Sequence, residues 1–193
     1  MTETETGFPL HDIETAPPAA RPLLEASKAA YGMVPNLHAA LAESPAALEG
    51  YATLWDLFET TGLTPAERQV VYLASNFENA CRYCMAGHTV RARRDGVPEE
   101  AIEALRAGRP IQDERLEALR RFAAAMVVER GHVGAEAVEA FLAAGFTRAN
   151  VLDVILGLAT KVISNYANHV VQTPLDGFMS KTAWEPPSLR GPA

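Results

Sequence analysis

Along most of the chain, apolar residues recur every three to four positions, the spacing that gathers them on one face of an α-helix. "RPLLEASKAAYG" shows it first, running from Arg21 to a stop at Gly32, and "VPNLHAALAES" follows as a short second helix. Ser44 before Pro45 reads as an N-cap with proline in the first turn, opening "PAALEGYATLWDLFETTG". The same signal is stronger at "TPAERQ", where Thr64, Pro65 and Glu67 spell a capping box. That helix is expected to run to about Glu78.

A further helix carries both cysteines to about Asp95, with Gly96 as its stop and Pro98 opening "PEEAIEALRAG". In "DERLEALRRFAAAMVVERG", Leu116, Leu119, Phe122, Ala123 and Met126 keep the helical spacing. "AEAVEAFLAAG" and the long "TRANVLDVILGLATKVISNYANHVV" complete the set, and Pro174 ends the second of these. "LTPAERQVVYLAS" and "FTRANVLDVILGL" share a faint pattern of the kind an old helical repeat leaves, but few positions match and it carries little weight. No run alternates with period two. The expected fold is all-α: an extended N-terminal arm over residues 1–18, a single helical domain over 19–180, and a proline-containing tail over 181–193. A helix as apolar all round as "VLDVILGLATKVI" must be buried in a core or an interface, which predicts a homo-oligomer.

At 193 residues the chain can bury a real core in one domain without staples. Its 24 acidic against 17 basic side chains give a net charge of −7, which argues against nucleic acid, because phosphate binding needs clustered Lys and Arg. The first residues, "MTETETGFPLHDIETAPPAARP", lack the basic and apolar regions of a secretory signal, and nowhere do roughly 20 unbroken apolar residues supply a membrane span. A cytoplasmic location with no membrane partner is expected.

The chemistry concentrates in "ENACRYCMAGH", residues 78–88, which holds both cysteines of the chain. In a reducing compartment a stable structural disulfide is not expected, so the spacing of Cys81 and Cys84 needs another reason. On a helix, Cys81, Cys84 and His88 share one stripe, with Glu78 a turn earlier if the helix has begun there. Cysteines at i and i+3 place their α-carbons about 5 to 5.5 Å apart, within reach of a reversible disulfide. A thiolate at a helix start, an acid–base histidine and a resolving thiol are what a peroxide-reducing site needs. Two blander readings stand beside it: a pair of buried small hydrophobes, or half of a zinc site whose second ligand pair the sequence does not supply. Tyr31, Trp55 and Phe58 read as core or pocket wall. Asn165, Asn168 and His169 read as hydrogen-bonded groups at a helix or subunit interface.

"LTPAERQVVYLASNFENACRYCMAGH" resembles the alkylhydroperoxidase D (AhpD-like) branch of the carboxymuconolactone decarboxylase superfamily, and "NYANHVVQTPLD" resembles the closing segment of its peroxidase-related members. The resemblance implies an all-helical AhpD-like bundle that assembles as a homo-oligomer, a trimer or a hexamer, and a thiol-dependent hydroperoxidase. In that family the second cysteine attacks the peroxide and the first resolves it, which maps onto Cys84 and Cys81, with His88 as the proton relay. The family's relay glutamate is replaced here by Gln69, which cannot accept a proton, and a histidine between the cysteines is replaced by Tyr83. Both are expected to line the site. Glu78 is expected to be the substitute carboxylate, while Glu67 is accounted for by its capping box.

The expected function is reduction of organic hydroperoxides, with no cofactor or metal beyond the Cys81–Cys84 disulfide and with an external dithiol or lipoyl-type reductant. The alternatives are a thiol–disulfide oxidoreductase acting on a protein or lipoyl partner, and a non-catalytic oligomer whose thiols sense redox state.

Overall fold

The computed structural model describes residues 2–187. A two-residue antiparallel pair, β1 (Thr2–Glu3) with β2 (Pro9–Leu10), precedes the helices α1 (Arg21–Tyr31), α2 (Asn36–Leu41), α3 (Pro45–Glu59), α4 (Pro65–Glu78), α5 (Arg82–Arg94), α6 (Glu99–Ala107), α7 (Glu114–Val128), α8 (Gly134–Ala143) and α9 (Arg148–Val171). The β pair is an addition to an otherwise helical chain. It lies against α2, where the His11 amide donates to the Ala39 carbonyl at 3.2 Å and the His11 ring meets the Glu43 carboxylate at 2.7 Å. The chain then closes with a 3₁₀ turn over Gly177–Thr182, an element the apolar periodicity gave no sign of.

The spine of the bundle is α4, buried at every residue from Glu67 to Asn76 and packed against α5, α6, α7 and α9. Its start is the expected capping box: the Glu67 amide donates to Thr64 Oγ1, and the Thr64 amide donates to the Glu67 carboxylate. The repeat partner, α9, opens the same way with Thr147 and Asn150. Ser44 occupies the N-cap of α3 as expected, but its side chain makes no capping bond. Around α4 a core of Phe58, Tyr72, Leu105, Leu119, Phe122 and Phe141 is closed to solvent, and each such side chain contributes about 1.5–3 kcal/mol by burial. Gly157 lets α3 and α9 approach closely, since a Cβ there would lie 2.6 Å from the Phe58 ring. A second cluster forms over the cysteines from Leu24, Leu37, Leu48 and Tyr51, so the N-terminal helices roof the α5 start.

The C-terminal segment is docked as far as it is described. Trp184 is buried with its indole N–H on the Arg106 carbonyl at 2.8 Å, and Thr182 Oγ1 donates to the Ala86 carbonyl at 3.0 Å. The expected tail over 181–193 therefore begins inside the fold, and its residues 188–193 lie outside the described part. Among the described residues no single helix is long and apolar enough to cross a membrane.

The chain turns sharply between α4 and α5. The Cys81 amide donates to the Asn76 carbonyl and the Ala80 amide to the Phe77 carbonyl, both at 2.9 Å, with Ala80 left-handed at φ 51°. These are the bonds of a Schellman motif, which usually puts glycine where Ala80 stands. An L-side chain there costs about 1–2 kcal/mol, partly offset because glycine has more freedom to lose on folding. Ala80→Gly should therefore raise stability by roughly 0.5–1 kcal/mol, seen as a higher denaturant midpoint at unchanged m. A midpoint that stays put or falls would show that the turn stores no strain.

Candidate active site

The α4–α5 turn decides what the cysteine motif becomes. Because α4 ends at Glu78 and the chain reverses through Ala80, Cys81 is the N-cap of α5 and Cys84 lies in its first turn. Free backbone N–H groups and the helix dipole favour a thiolate at such a start. Both sulfurs are free thiols, Cys81 fully covered and Cys84 3% exposed.

The same turn removes Glu78 from the site. Glu78 belongs to α4 and not to the cysteine helix, lies half-buried, and lines neither of the two cavities that reach the thiols. Burial raises its carboxyl above the ordinary glutamate value, with Arg120 acting in the opposite direction. The substitute carboxylate expected from spacing is thus not brought to the cysteines, because that spacing assumed one continuous helix.

His88 is buried one turn below Cys84, but both of its ring nitrogens are occupied elsewhere. Lys161 Nζ of α9 donates to His88 Nε2 at 3.0 Å, and His88 Nδ1 is 2.8 Å from Gln69 Oε1. Gln69 Nε2 in turn donates to Asp95 Oδ2 at 2.9 Å. The amide's fixed donor and acceptor set the tautomer: Nδ1 carries the proton and Nε2 accepts from the ammonium. Burial, followed by the Lys161 and Arg91 charges, holds the imidazole well below its ordinary pKa, so it is neutral. Trp55 and Tyr72 flank the ring at centroid distances of 5.8 and 4.6 Å.

Lys161 is the residue the sequence reading missed. It is 1% exposed, and among the described residues no carboxylate lies within ion-pair distance of it. A buried ammonium without a counter-charge is costly, and the anion available to it is the Cys84 thiolate. With Ser164, Asn165 and Asn168 it forms one buried stripe of α9, at helical spacing, facing the start of α5. Asn168 Nδ2 donates to Cys84 Sγ at 3.2 Å and lies 4.0 Å from Cys81 Sγ. Asn165 clamps the turn itself, donating to Asn76 Oδ1 and accepting from Asn79 Nδ2, both at 3.0 Å. The signal was a lone cation inside an apolar run, in register with the polar residues after it.

These groups split the two thiols. Burial alone would push Cys84 up, but the Cys81 thiol, the Lys161 charge, Ser164 and Asn165 outweigh it and hold Cys84 well below the ordinary cysteine value. Cys81, hydrogen-bonded to Cys84 and desolvated, is pushed up. Cys84 is the more acidic thiol of the pair and Cys81 the less acidic.

Tyr83 and Gln69 were both expected to line the site: Tyr83 is on the cavity wall, whereas Gln69 lies behind His88 and lines neither cavity that reaches the thiols. The Tyr83 hydroxyl donates to Asp176 Oδ2 and accepts from the Leu37 amide at 3.2 Å. Cys84, His88 and Lys161 open on a cavity of about 190 Å³ walled by the rings of Tyr31, Tyr51, Trp55, Tyr83 and Phe178, with Arg91 and Arg94 also on its lining. Among the described residues no three His, Cys, Asp or Glu side chains gather as metal ligands.

Residues 43–125 match the carboxymuconolactone decarboxylase family. The solved structure of a peroxidase-related protein with an alkylhydroperoxidase AhpD core, from Ralstonia eutropha JMP134, superposes with a TM-score of 0.78 at 22% identity, over 89% of this chain and 93% of that one. The chain is thus similar to the carboxymuconolactone decarboxylase family over residues 43–125, and its fold is AhpD-like. A peroxidase-related protein from Silicibacter sp. TM1040 shares the fold at a TM-score of 0.77 and 20% identity, over 93% of this chain and 95% of that one. So does the debrominase Bmp8, in complex with 2,3,4-tribromopyrrole, at 0.74 and 16%, over 91% and 94%. No curated protein matches the chain significantly. Where the resemblance calls for a carboxylate behind His88 stands the neutral Gln69, and the charged partner of the ring is Lys161, on its other nitrogen.

If Lys161 and not His88 holds Cys84 ionised, Lys161→Met should raise the Cys84 pKa, and His88→Gln should move it less. The wild-type thiolate persists as pH falls below the ordinary cysteine range and protonates only at the depressed pKa. In the Met variant protonation should come at least about one pH unit higher, a tenfold change in the equilibrium. Titration of thiolate ultraviolet absorbance reads both variants, and a larger shift for His88→Gln would reverse the assignment.

Proposed function

We propose that the protein reduces organic hydroperoxides through a dithiol–disulfide cycle of Cys84 and Cys81. The observation that carries the reading is a cysteine in the first turn of its helix that shares a cavity walled by aromatic rings with a buried lysine. The peroxidase-related relatives support it at the level of the family.

In this scheme the Cys84 thiolate attacks the outer peroxide oxygen. An S–O bond forms, the O–O bond breaks, and the departing alkoxide takes a proton from the Lys161 ammonium. His88, neutral and fixed by Gln69, holds that ammonium in place. Cys81 then attacks the sulfenic sulfur: an S–S bond forms, the S–O bond breaks, and hydroxide leaves with the Cys81 proton as water. Lys161 regains its proton from solvent, and an external dithiol reduces the disulfide.

The ring-walled cavity also favours a second reading, reductive removal of bromine from an aromatic ring. There the Cys84 thiolate would take the bromine, forming S–Br and breaking C–Br, and the ring carbon would keep the electron pair and take a proton. Cys81 would then displace bromide and close the same disulfide. One fold relative is named as a debrominase.

Turnover of cumene, tert-butyl and hydrogen peroxide with dihydrolipoamide or thioredoxin as electron source separates these readings. Cumene hydroperoxide should give the highest kcat/KM, since a cavity of about 190 Å³ exceeds the roughly 150 Å³ that accepts one benzene ring. Cys84→Ser should abolish turnover, and Cys81→Ser should leave a trappable sulfenic acid on Cys84. Bromide release from brominated phenols or pyrroles without peroxide turnover would establish the second reading instead.

The protein works as a homo-oligomer in this proposal. Leu152, Ile155, Val162, Tyr166 and Val170 form one exposed apolar stripe along the length of α9, behind the stripe that faces the thiols. Such a continuous patch on a surface helix suits a second copy of the chain. Light scattering at micromolar concentration should give a multiple of the 20.8 kDa chain mass, and Tyr166→Glu should lower it; a monomer mass for the wild type would contradict the proposal.

A further inference from the structure

The two thiols, three residues apart, open on different spaces. Cys84 lines the ring-walled cavity and Cys81 does not; Cys81 lines a second cavity of about 820 Å³ and Cys84 does not; Tyr83 alone lines both. We propose that the second cavity is the docking site of the dithiol that returns the oxidised pair to thiols, so that oxidant and reductant reach the two sulfurs through separate cavities. The inference rests on the dithiol cycle proposed above.

Two unused polar atoms point to an occupant of that space. Asn168 Oδ1 and Thr173 Oγ1 are buried without a hydrogen-bond partner, and both residues line the second cavity. An unpaired buried acceptor costs about 1–3 kcal/mol, so its persistence asks for a donor that arrives with a ligand. Asn168 commits its Nδ2 to the Cys84 sulfur and keeps its oxygen for the other side. An incoming S–H is a donor of the right kind, and its approach to Oδ1 brings it beside Cys81. The volume falls within the usual range for an organic ligand, roughly 300–1,000 Å³, whereas the first cavity has room for little more than a ring.

The sulfur chemistry selects the same direction. In thiol–disulfide exchange the more acidic thiol leaves faster. The reductant's thiolate attacks Cys81 Sγ, a new S–S bond forms, the Cys81–Cys84 bond breaks, and the electron pair leaves on Cys84, where Lys161 and Asn168 Nδ2 receive the charge. The reductant's second thiol then attacks its own sulfur in the mixed disulfide, expelling Cys81, which takes one proton. The other proton passes to solvent, and the reductant departs as a cyclic disulfide. Cys81 is covered while reduced, which costs nothing, because the reductant has no target until the disulfide exists.

The test separates the half-reactions by stopped flow. In the oxidative arm, reduced protein meets cumene hydroperoxide; in the reductive arm, protein oxidised beforehand with diamide meets dihydrolipoamide or dithiothreitol. Leu175→Trp and Thr173→Trp, which fill the second cavity, should slow the reductive arm by roughly tenfold or more, the effect of one lost contact group, and leave the oxidative arm within about twofold. Val90→Trp, on the wall of the first cavity, should do the reverse. A measurement on the unaltered protein backs these variants: cumyl alcohol, the peroxide's product, should compete with the oxidative arm and spare the reductive one. Equal slowing of both arms by either set, or competition by cumyl alcohol in both, would mean a single doorway and overturn the proposal. Failure of the peroxidase reading would look different, as an oxidative arm with no thiol loss, while the diamide-fed reductive arm still reports which cavity the dithiol uses.

Discussion

A helix buried on every side cannot leave its polar groups to water, and that constraint on α4 organises the molecule. Glu67, Arg68, Gln69 and Asn76 lie on α4 with almost no exposure, and each takes a partner from an element packed against it. Glu67 meets Arg115 at 2.8 Å and Arg68 meets Glu59 at 3.0 Å. Gln69 reaches His88 and Asp95, and Asn76 accepts from Asn165. The obligations of one helix thus set where α5, α7 and α9 can lie, and the functional groups of α5 and α9 meet at its side.

The charge pattern at the thiols follows from the same network. A glutamate at position 69 would put a second formal charge behind His88; the glutamine passes only a hydrogen bond and leaves the imidazole neutral. The neutral ring can then accept from an ammonium, and the ammonium is left to be balanced by sulfur. In the proposed cycle the proton source and the counter-ion of the thiolate are one residue, so loss of the thiolate's charge to oxygen and loss of the lysine's proton to alkoxide occur together. That coupling avoids leaving a lone charge in an environment where such a charge is expensive.

Much of the helical scaffold was legible because caps and periodicity are local. Thr64 with Glu67, Gly32, Gly96 and the full extent of α9 all stood where the pattern put them. The α4–α5 junction was legible in its position near Glu78 but not in its detail: an alanine in a left-handed turn carries no glycine signature, so the reversal that parts Glu78 from the cysteine helix was hidden. The 3₁₀ turn after α9 was hidden too, since its residues are held by distant partners such as the Ala86 carbonyl and not by their own pattern. At the site, Cys81, Cys84, Gln69 and Tyr83 could be placed by spacing and resemblance. Lys161 could not, because its meaning depends on a face of α9 that meets α5 only in three dimensions. A single lysine in an apolar helix is a signal once one asks what would neutralise it.

The wall between the two cavities is made late. It is Tyr83, pinned by a hydroxyl that donates to Asp176 and accepts from the amide of Leu37, while Asp176 also accepts from the amide of Asn36 at 3.1 Å. These partners are separated by 46 to 140 positions in the chain, and contacts of such long range are entropically among the last to form. Until the segment after α9 docks, then, Tyr83 lacks its Asp176 partner and has only the Leu37 amide to hold its hydroxyl. If the two cavities divide oxidant from reductant as proposed, that division is completed only when the carboxylate of Asp176 takes the Tyr83 hydroxyl, and Asp176 is its latch.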